Sequence, residues 1–201
     1  MRRKVYAAVI AATLAVGMMG TSVMAETTAS GETTFEYKTG GVGPIEPVDP
    51  GTEETSVNNW MVYFPKLVTL TDSNVETADT FTKGTDVTFT VKQKQPGTDG
   101  DEIKSDNIPS GITVEANVPN EEGNFPLTGS AGSATMQLGT FTTPHTVVTQ
   151  TNNELGILTD GAGATQSGKA KISDNSGVVD GTTYSTNVIF TFTNPADEST
   201  V

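Results

Sequence analysis

The residues best suited to chemistry in this chain are the carboxylates of one short acidic segment. Asp99, Asp101 and Asp106 lie together with Glu102 in the segment TDGDEIKSDN. Calcium binds oxygen ligands that flexible acidic loops supply, so the three aspartates form a candidate calcium site. The Asp-x-Asp-x-Asp-Gly spacing of an EF-hand loop is absent, and a solvated acidic loop is the alternative interpretation.

The chain has few residues that could support catalysis. His145, in the segment TTPHTV, is the only histidine, and the chain contains no cysteine. A Ser-His-Asp triad would have to use His145, and no Gly-x-Ser-x-Gly turn surrounds a serine. Zinc sites normally need several Cys or His ligands. We therefore predict no enzymatic activity and no cofactor beyond calcium. A secreted cell-wall hydrolase that uses a pair of the 24 carboxylates stays open as the alternative.

The N-terminal residues indicate export. A basic stretch, Arg2–Lys4, precedes an apolar run from Val5 to Val16, and small residues lead to a cleavage point after Ala25. This order is typical of a secretory signal peptide. The run is shorter than the roughly 20 residues that span a bilayer. We predict a signal peptide at residues 1–25 and a mature chain without a membrane span, with an uncleaved N-terminal anchor as the alternative.

The chain after residue 25 is strongly acidic. It has 24 Asp and Glu residues against eight lysines and no arginine, a formal charge of −16. Nucleic-acid binding needs a basic patch, so we expect no nucleic-acid partner. A cysteine-free exported domain has no disulfides to support it, which fits secretion by a Gram-positive bacterium.

Alternating apolar residues predict half-buried β-strands at residues 59–64, 85–94 and 184–193. Turn-forming clusters separate them from shorter candidates. Those candidates are Thr33–Tyr37, Lys66–Thr71, Gly111–Ala116, Ala134–Gly139, His145–Thr149, Leu155–Leu158 and Ala170–Ser173. Many short strands favour an all-β fold. We predict a single β-sandwich, Ig-like or jelly-roll-like.

The sandwich is expected at residues 58–196, with a polar tail at 197–201 and at most one short helical turn, at Val75–Thr80. Residues 26–57 are expected to hold the short strand at Thr33–Tyr37 and an extended acidic linker from Lys38 to Val57, rich in Gly and Pro. The short strand either pairs within the sandwich or adds to a partner.

The predicted strand at residues 59–64 has an apolar face and an opposite face. Trp60 shares a face with Val62 and Phe64, which predicts that it lies in the core, with sugar or peptide stacking as the alternative. Met61 and Tyr63 point to the opposite face. They are the candidates for an exposed contact surface.

Three segments in order resemble a known family. They are an opening with TFEY, a Pro/Asp-rich stretch and WMVYFPKLVTL; the segment VTFTVKQ; and the closing segment YSTNVIFTFTNP. Together they resemble the WxL-domain proteins of low-GC Gram-positive bacteria. Val87 and Phe89 stand at the family's mid-domain motif. Tyr184, Phe190 and Phe192 stand at its closing motif, so both motifs keep large apolar residues two apart but lack tryptophan.

The resemblance implies non-covalent attachment to cell-wall peptidoglycan, in assemblies with other surface proteins. We therefore predict a non-enzymatic, secreted, extracellular protein, associated with the Gram-positive cell wall and serving in adhesion or surface-complex assembly. Its expected partners are peptidoglycan or another wall component, and other surface proteins. A pilin-like subunit that exchanges the strand at Thr33–Tyr37 is the structural alternative.

Overall fold

The computed structural model describes residues 28–40, 52–57, 60–94, 103–104, 111–159 and 164–194. Within these ranges the chain forms twelve strands, one short 3₁₀ helix at Asp72–Asn74 and no α-helix. The predicted all-β fold is confirmed. The strands are β1 Thr28–Lys38, β2 Thr52–Val57, β3 Trp60–Pro65, β4 Leu67–Thr71, β5 Thr85–Lys94, β6 Ile103–Lys104, β7 Ile112–Ala116, β8 Phe125–Thr128, β9 Ser133–Gly139, β10 Glu154–Leu158, β11 Thr165–Gly177 and β12 Thr183–Thr193.

The strands form two layers that are joined at one edge. The first layer has the order β4-β1-β12-β7-β10, and the second has the order β8-β9-β11-β5-β3-β2, with β6 beside β5. Pairing between Thr128 of β8 and Ser185 of β12 joins the layers. The result is a nearly closed β-sandwich in which every pairing between named strands is antiparallel except that of β1 with β4.

The core lies between the layers and follows the period-two pattern of the sequence. Alternate side chains of each long strand point inward because successive residues of a strand face opposite sides. Phe35 and Tyr37 of β1 in the first layer are fully buried, as are Val87 and Phe89 of β5 in the second layer. Trp60 is only 6% exposed, so its predicted place in the core is confirmed.

Two local expectations are wrong. His145–Thr149 is not a strand: the amide of Thr140 donates to the carbonyl of Thr146, closing a tight loop, and only Val147 makes an isolated bridge, to Gly139. Val75–Thr80 is not a helical turn. The 3₁₀ helix ends one residue earlier, and Val75 then bridges to Ile172 of β11.

The expected linker from Lys38 to Val57 needs correction at its C-terminal end. Residues Thr52–Val57 form β2, which pairs antiparallel with β3. The expected boundary at residue 57 therefore falls inside a hairpin. The expectation failed because the segment TEETSV has no apolar alternation, and its pairing with a strongly patterned neighbour decides its structure. Residues 41–51, the signal peptide and the tail lie outside the described residues.

The first strand approaches the other layer closely at one glycine. A Cβ atom added to Gly31 would lie 2.7 Å from Cε1 of Phe64 and would also overlap Cζ. Phe64 is 2% exposed and packs on Phe192, with ring centroids 5.5 Å apart. The ring therefore has little room to move aside, and glycine is required at this position of β1.

Replacing Gly31 with alanine should destabilise the protein by about 1–3 kcal/mol, the usual cost of overpacking a core. Urea unfolding would measure the difference. Ser30→Ala, on the neighbouring outward position, is the matched control and should change stability little. Adding Phe64→Leu to Gly31→Ala should recover part of the loss, and two independent, additive effects would contradict the predicted overlap.

Candidate functional site

The five family-motif positions lie in the core. Val87, Phe89, Tyr184, Phe190 and Phe192 are each 0% exposed. The two motifs come from different layers, on β5 and β12, and meet between them. The Phe89 ring stands edge-on to Phe190 with centroids 4.9 Å apart, and it lies 6.1 Å from Phe192. These side chains stabilise the sandwich and present no surface to a ligand.

Tyr184 fixes two loops at one end of the sandwich. Its hydroxyl donates to the carbonyl of Ala131 at 2.7 Å and accepts from the amide of Val179 at 2.6 Å. Its ring also packs on that of Tyr37, with centroids 6.2 Å apart. Burial, reinforced by a hydrogen bond to Asp72, raises the pKa of Tyr37 to about 12, so Tyr37 is a neutral structural group.

The predicted contact residues Met61 and Tyr63 do lie on the outward side of β3. Both are half-buried. The ammonium of Lys92 on β5 lies 5.5 Å from the centroid of the Tyr63 ring. Thr90, the register partner of Tyr63, bonds its hydroxyl to that of Thr165 on β11 at 3.0 Å. We call these five residues the Tyr63 patch.

The Tyr63 patch combines three kinds of contact on one face. An aromatic ring offers an apolar surface on which a flat ligand ring can stack. Paired hydroxyls can each donate and accept a hydrogen bond. The ammonium of Lys92 can bind a carboxylate or phosphate. A second hydroxyl pair, Thr88 with Ser167 at 2.7 Å, extends the polar surface along the same two strands.

The predicted calcium ligands Asp99, Asp101 and Asp106 lie outside the described residues. In the described ranges, no three His, Asp or Glu side chains converge as metal ligands would. The calcium site therefore stays a prediction.

The His145 side chain contacts Thr140 and Phe81. Its Nδ1 atom is 2.6 Å from the carbonyl oxygen of Thr140, and its ring meets that of Phe81 edge-on at 6.2 Å. Phe81 in turn rests on Gly139, where a Cβ would lie 3.0 Å from the ring. The histidine thus helps to hold the loop that carries Phe81.

A buried ionic cluster was missed by sequence reasoning. The loop at residues 75–83 crosses the outward side of β11 and covers Lys171, which is 0% exposed. The Lys171 ammonium donates to the carbonyl of Ala78 and lies 4.8 Å from the centroid of the Phe81 ring. Glu76, 8% exposed, lies in the same loop. Alternation along β11 predicts that Lys171 points outward, which it does, but no pattern in the sequence shows that a loop covers it.

Hydrogen bonds keep Glu76 ionised within this cluster. Burial by itself raises the pKa of a carboxyl group, but the Glu76 carboxylate accepts bonds from the hydroxyls of Thr80 and Thr82 and from the amide of Lys83. These bonds outweigh burial and lower its pKa to about 2. Burial also lowers the pKa of Lys171, against the opposing effect of the negative charges of Glu76 and Asp79.

Tyr184→Phe should lower the free energy of unfolding by about 1 kcal/mol, because the Val179 amide and the Ala131 carbonyl lose their shared hydroxyl partner. Chemical denaturation would measure it, with Thr88→Ala as the control on the outer face. A stability equal to that of the wild type would show that the hydroxyl does not join the two loops.

The Glu76 carboxylate should make the protein sensitive to acid. Its folded pKa, about 2, lies below its ordinary value of 4.5. The contribution of the ionised Glu76 carboxylate to the free energy of unfolding is therefore complete above pH 4.5 and is lost as the pH falls from 4.5 towards 2. In denaturation series over this window, the stability of Glu76→Gln should fall less steeply than that of the wild type. Glu115→Gln, on the outer face, is the matched control, and equal slopes for wild type and Glu76→Gln would contradict the assignment.

No helix within the described ranges has the length and apolar character that crossing a bilayer requires. No protein-family model matches this sequence, and no match was found among curated proteins or among solved structures. What this chain does must therefore be inferred from its own residues and their geometry.

Proposed function

We propose that this chain is a non-enzymatic, secreted cell-surface protein. In this proposal it is held non-covalently at the cell wall of a Gram-positive bacterium and serves in adhesion or in the assembly of surface complexes. The signal-peptide pattern of residues 1–25 and the resemblance to WxL-domain proteins support this setting. The Tyr63 patch is the contact surface we assign to it.

The placement of Lys92 above the Tyr63 ring carries this assignment. The motif positions at Phe89, Phe190 and Phe192 are fully buried, so attachment must use other residues. A wall glycan presents sugar rings, hydroxyl groups and carboxylates. The Tyr63 patch offers a matching contact for each of them: a ring to stack on, the Thr90–Thr165 hydroxyl pair and an ammonium.

Charge restricts how the attachment can work. The chain after residue 25 has a formal charge of −16, and anionic wall polymers would repel it at long range. Salt screens this repulsion beyond about 8–10 Å. Direct contacts of the kind available at the Tyr63 patch can therefore hold the protein, and bridging cations are the second route.

Sedimentation of the mature chain, residues 26–201, with purified Gram-positive walls tests the proposal. We expect the wild type to pellet with the walls. Tyr63→Ala and Lys92→Gln should each reduce the bound fraction several-fold at limiting wall concentration. Thr34→Ala, on the outward face of the opposite layer, is the matched control and should bind as the wild type does.

Adding a chelator and measuring wall hydrolysis distinguish direct contact from cation bridging and from hydrolase activity. Release by EDTA would assign the attachment to bridging cations, with Asp99, Asp101 and Asp106 as the next residues to change. Solubilised wall fragments after incubation would favour the hydrolase alternative. A wild-type protein that stays in the supernatant under all conditions would overturn wall attachment.

A further inference from the structure

We propose that the groove between β12 and β4 is a strand-binding site that takes β1 from a second copy of this chain, so that copies assemble by strand exchange. In the single chain, its own β1 fills this groove. The inference goes beyond wall attachment, because it concerns how copies join one another and needs no wall.

β1 has a partner on each side along the groove. It pairs antiparallel with β12 from Thr28–Thr193 to Lys38–Thr183, and parallel with β4 from Thr34–Leu67 to Lys38–Thr71. Withdrawing β1 would leave two facing strand edges with unpaired backbone groups. Such edges are templates for another strand.

The groove is selective for the sequence of β1. The position opposite Phe64 must be glycine, because a Cβ at Gly31 would overlap the ring. Two residues on, Thr33 is fully buried and donates its hydroxyl to the carbonyl of Pro65 at 2.7 Å. An arbitrary strand would therefore clash with Phe64 or fail to supply the hydroxyl that the Pro65 carbonyl accepts from Thr33.

The far end of the groove adds two further requirements. Phe35 and Tyr37 are each 0% exposed. The Tyr37 hydroxyl donates to Oδ1 of Asp72 at 2.7 Å and accepts a longer bond, at 3.4 Å, from Asn175. A fitting strand thus needs Gly, Thr and two aromatic residues at alternate positions, the last of them a tyrosine. β1 of a second copy meets all four requirements.

Exchange preserves these contacts. The side-chain hydrogen bonds of β1 named above end on residues outside β1, so the same bonds form whether β1 comes from the same chain or from another. The two arrangements then differ mainly in the cost of bringing chains together. Residues 39–51 connect β1 to β2 of the same chain. A short connection of this kind gives a chain's own β1 an effective concentration on the order of millimolar at its own groove. Exchange is therefore expected in crowded layers or when chains fold together at high concentration.

A cysteine cross-link can detect exchange, because the natural chain has no cysteine. Thr34 and Asn187 are register partners on the outward face, and their side chains are 3.0 Å apart. Directly opposite residues in an antiparallel pair have Cα atoms about 4.5–5.5 Å apart, a separation that a disulfide can bridge. When β1 has moved between chains, Thr34→Cys of one chain lies directly opposite Asn187→Cys of another, so their cross-link should form in excess of the background from chance collisions of exposed cysteines.

Equal amounts of the two single-cysteine variants would be unfolded together, refolded at high protein concentration and oxidised. We expect a heterodimer whose linked peptides contain positions 34 and 187, at several-fold the yield from Asn187→Cys mixed with Thr88→Cys. The double variant Thr34→Cys/Asn187→Cys should close an intramolecular link and so verify the register. A heterodimer yield no higher than that of the Thr88→Cys control overturns the proposal, as does a double variant that does not close.

A peptide competition provides the second readout. A synthetic peptide of residues 28–38, added in excess during refolding, should lower the heterodimer yield, because it competes for the groove. The same peptide with valine in place of Gly31 should not. Equal inhibition by the two peptides would contradict the selectivity of the groove. Wall binding has no part in either assay, so failure of wall attachment and failure of exchange are distinguishable.

Discussion

The pairing of the first strand with the last is the constraint on which the rest of this structure depends. β1 and β12 match residue for residue from Thr28–Thr193 to Lys38–Thr183. β12 also carries Phe190 and Phe192 into the aromatic core, where they meet Phe89 of the opposite layer. The ladder also places β1 beside β4, and its β12 strand supplies Ser185, whose pairing with Thr128 joins the two layers. The fold is therefore dominated by contacts between residues distant in sequence, which must overcome a large loop-closure entropy.

The sequence predicts the strands well where one face is apolar and the other polar. Val87, Phe89 and Val91 alternate with threonine and lysine, and the observed β5 has the predicted bounds of 85–94. The pattern was informative because the sandwich buries one face of each strand and leaves the other to solvent. For the same reason, the separation of Trp60 from Met61 and Tyr63 could be derived from their alternation alone.

Prediction failed where tertiary contacts override the local pattern. β2 has no apolar alternation and pairs because β3 offers an edge. His145–Thr149 has an apolar pair of residues but closes a loop through Thr140. The Glu76–Lys171 cluster gave no signal, because an outward lysine on a strand is ordinarily solvated and only the crossing of the 75–83 loop buries this one. Two of the five residues of the Tyr63 patch, Met61 and Tyr63, were predictable. The other three come from β5 and β11 through strand order, which a single sequence does not reveal.

The geometry of the β1–β12 ladder also determines how the domain responds to force. Thr28 and Thr193 are paired at the same end of the ladder. A pull that separates these two residues would load one hydrogen-bonded pair at a time, so the ladder would open progressively, as a zipper does. A pull between Thr28 and Thr183, at opposite ends of the ladder, would instead shear all of its pairs together. The mechanical strength of this domain would therefore depend on the residues at which force is applied, although the hydrogen bonds that resist the force are the same.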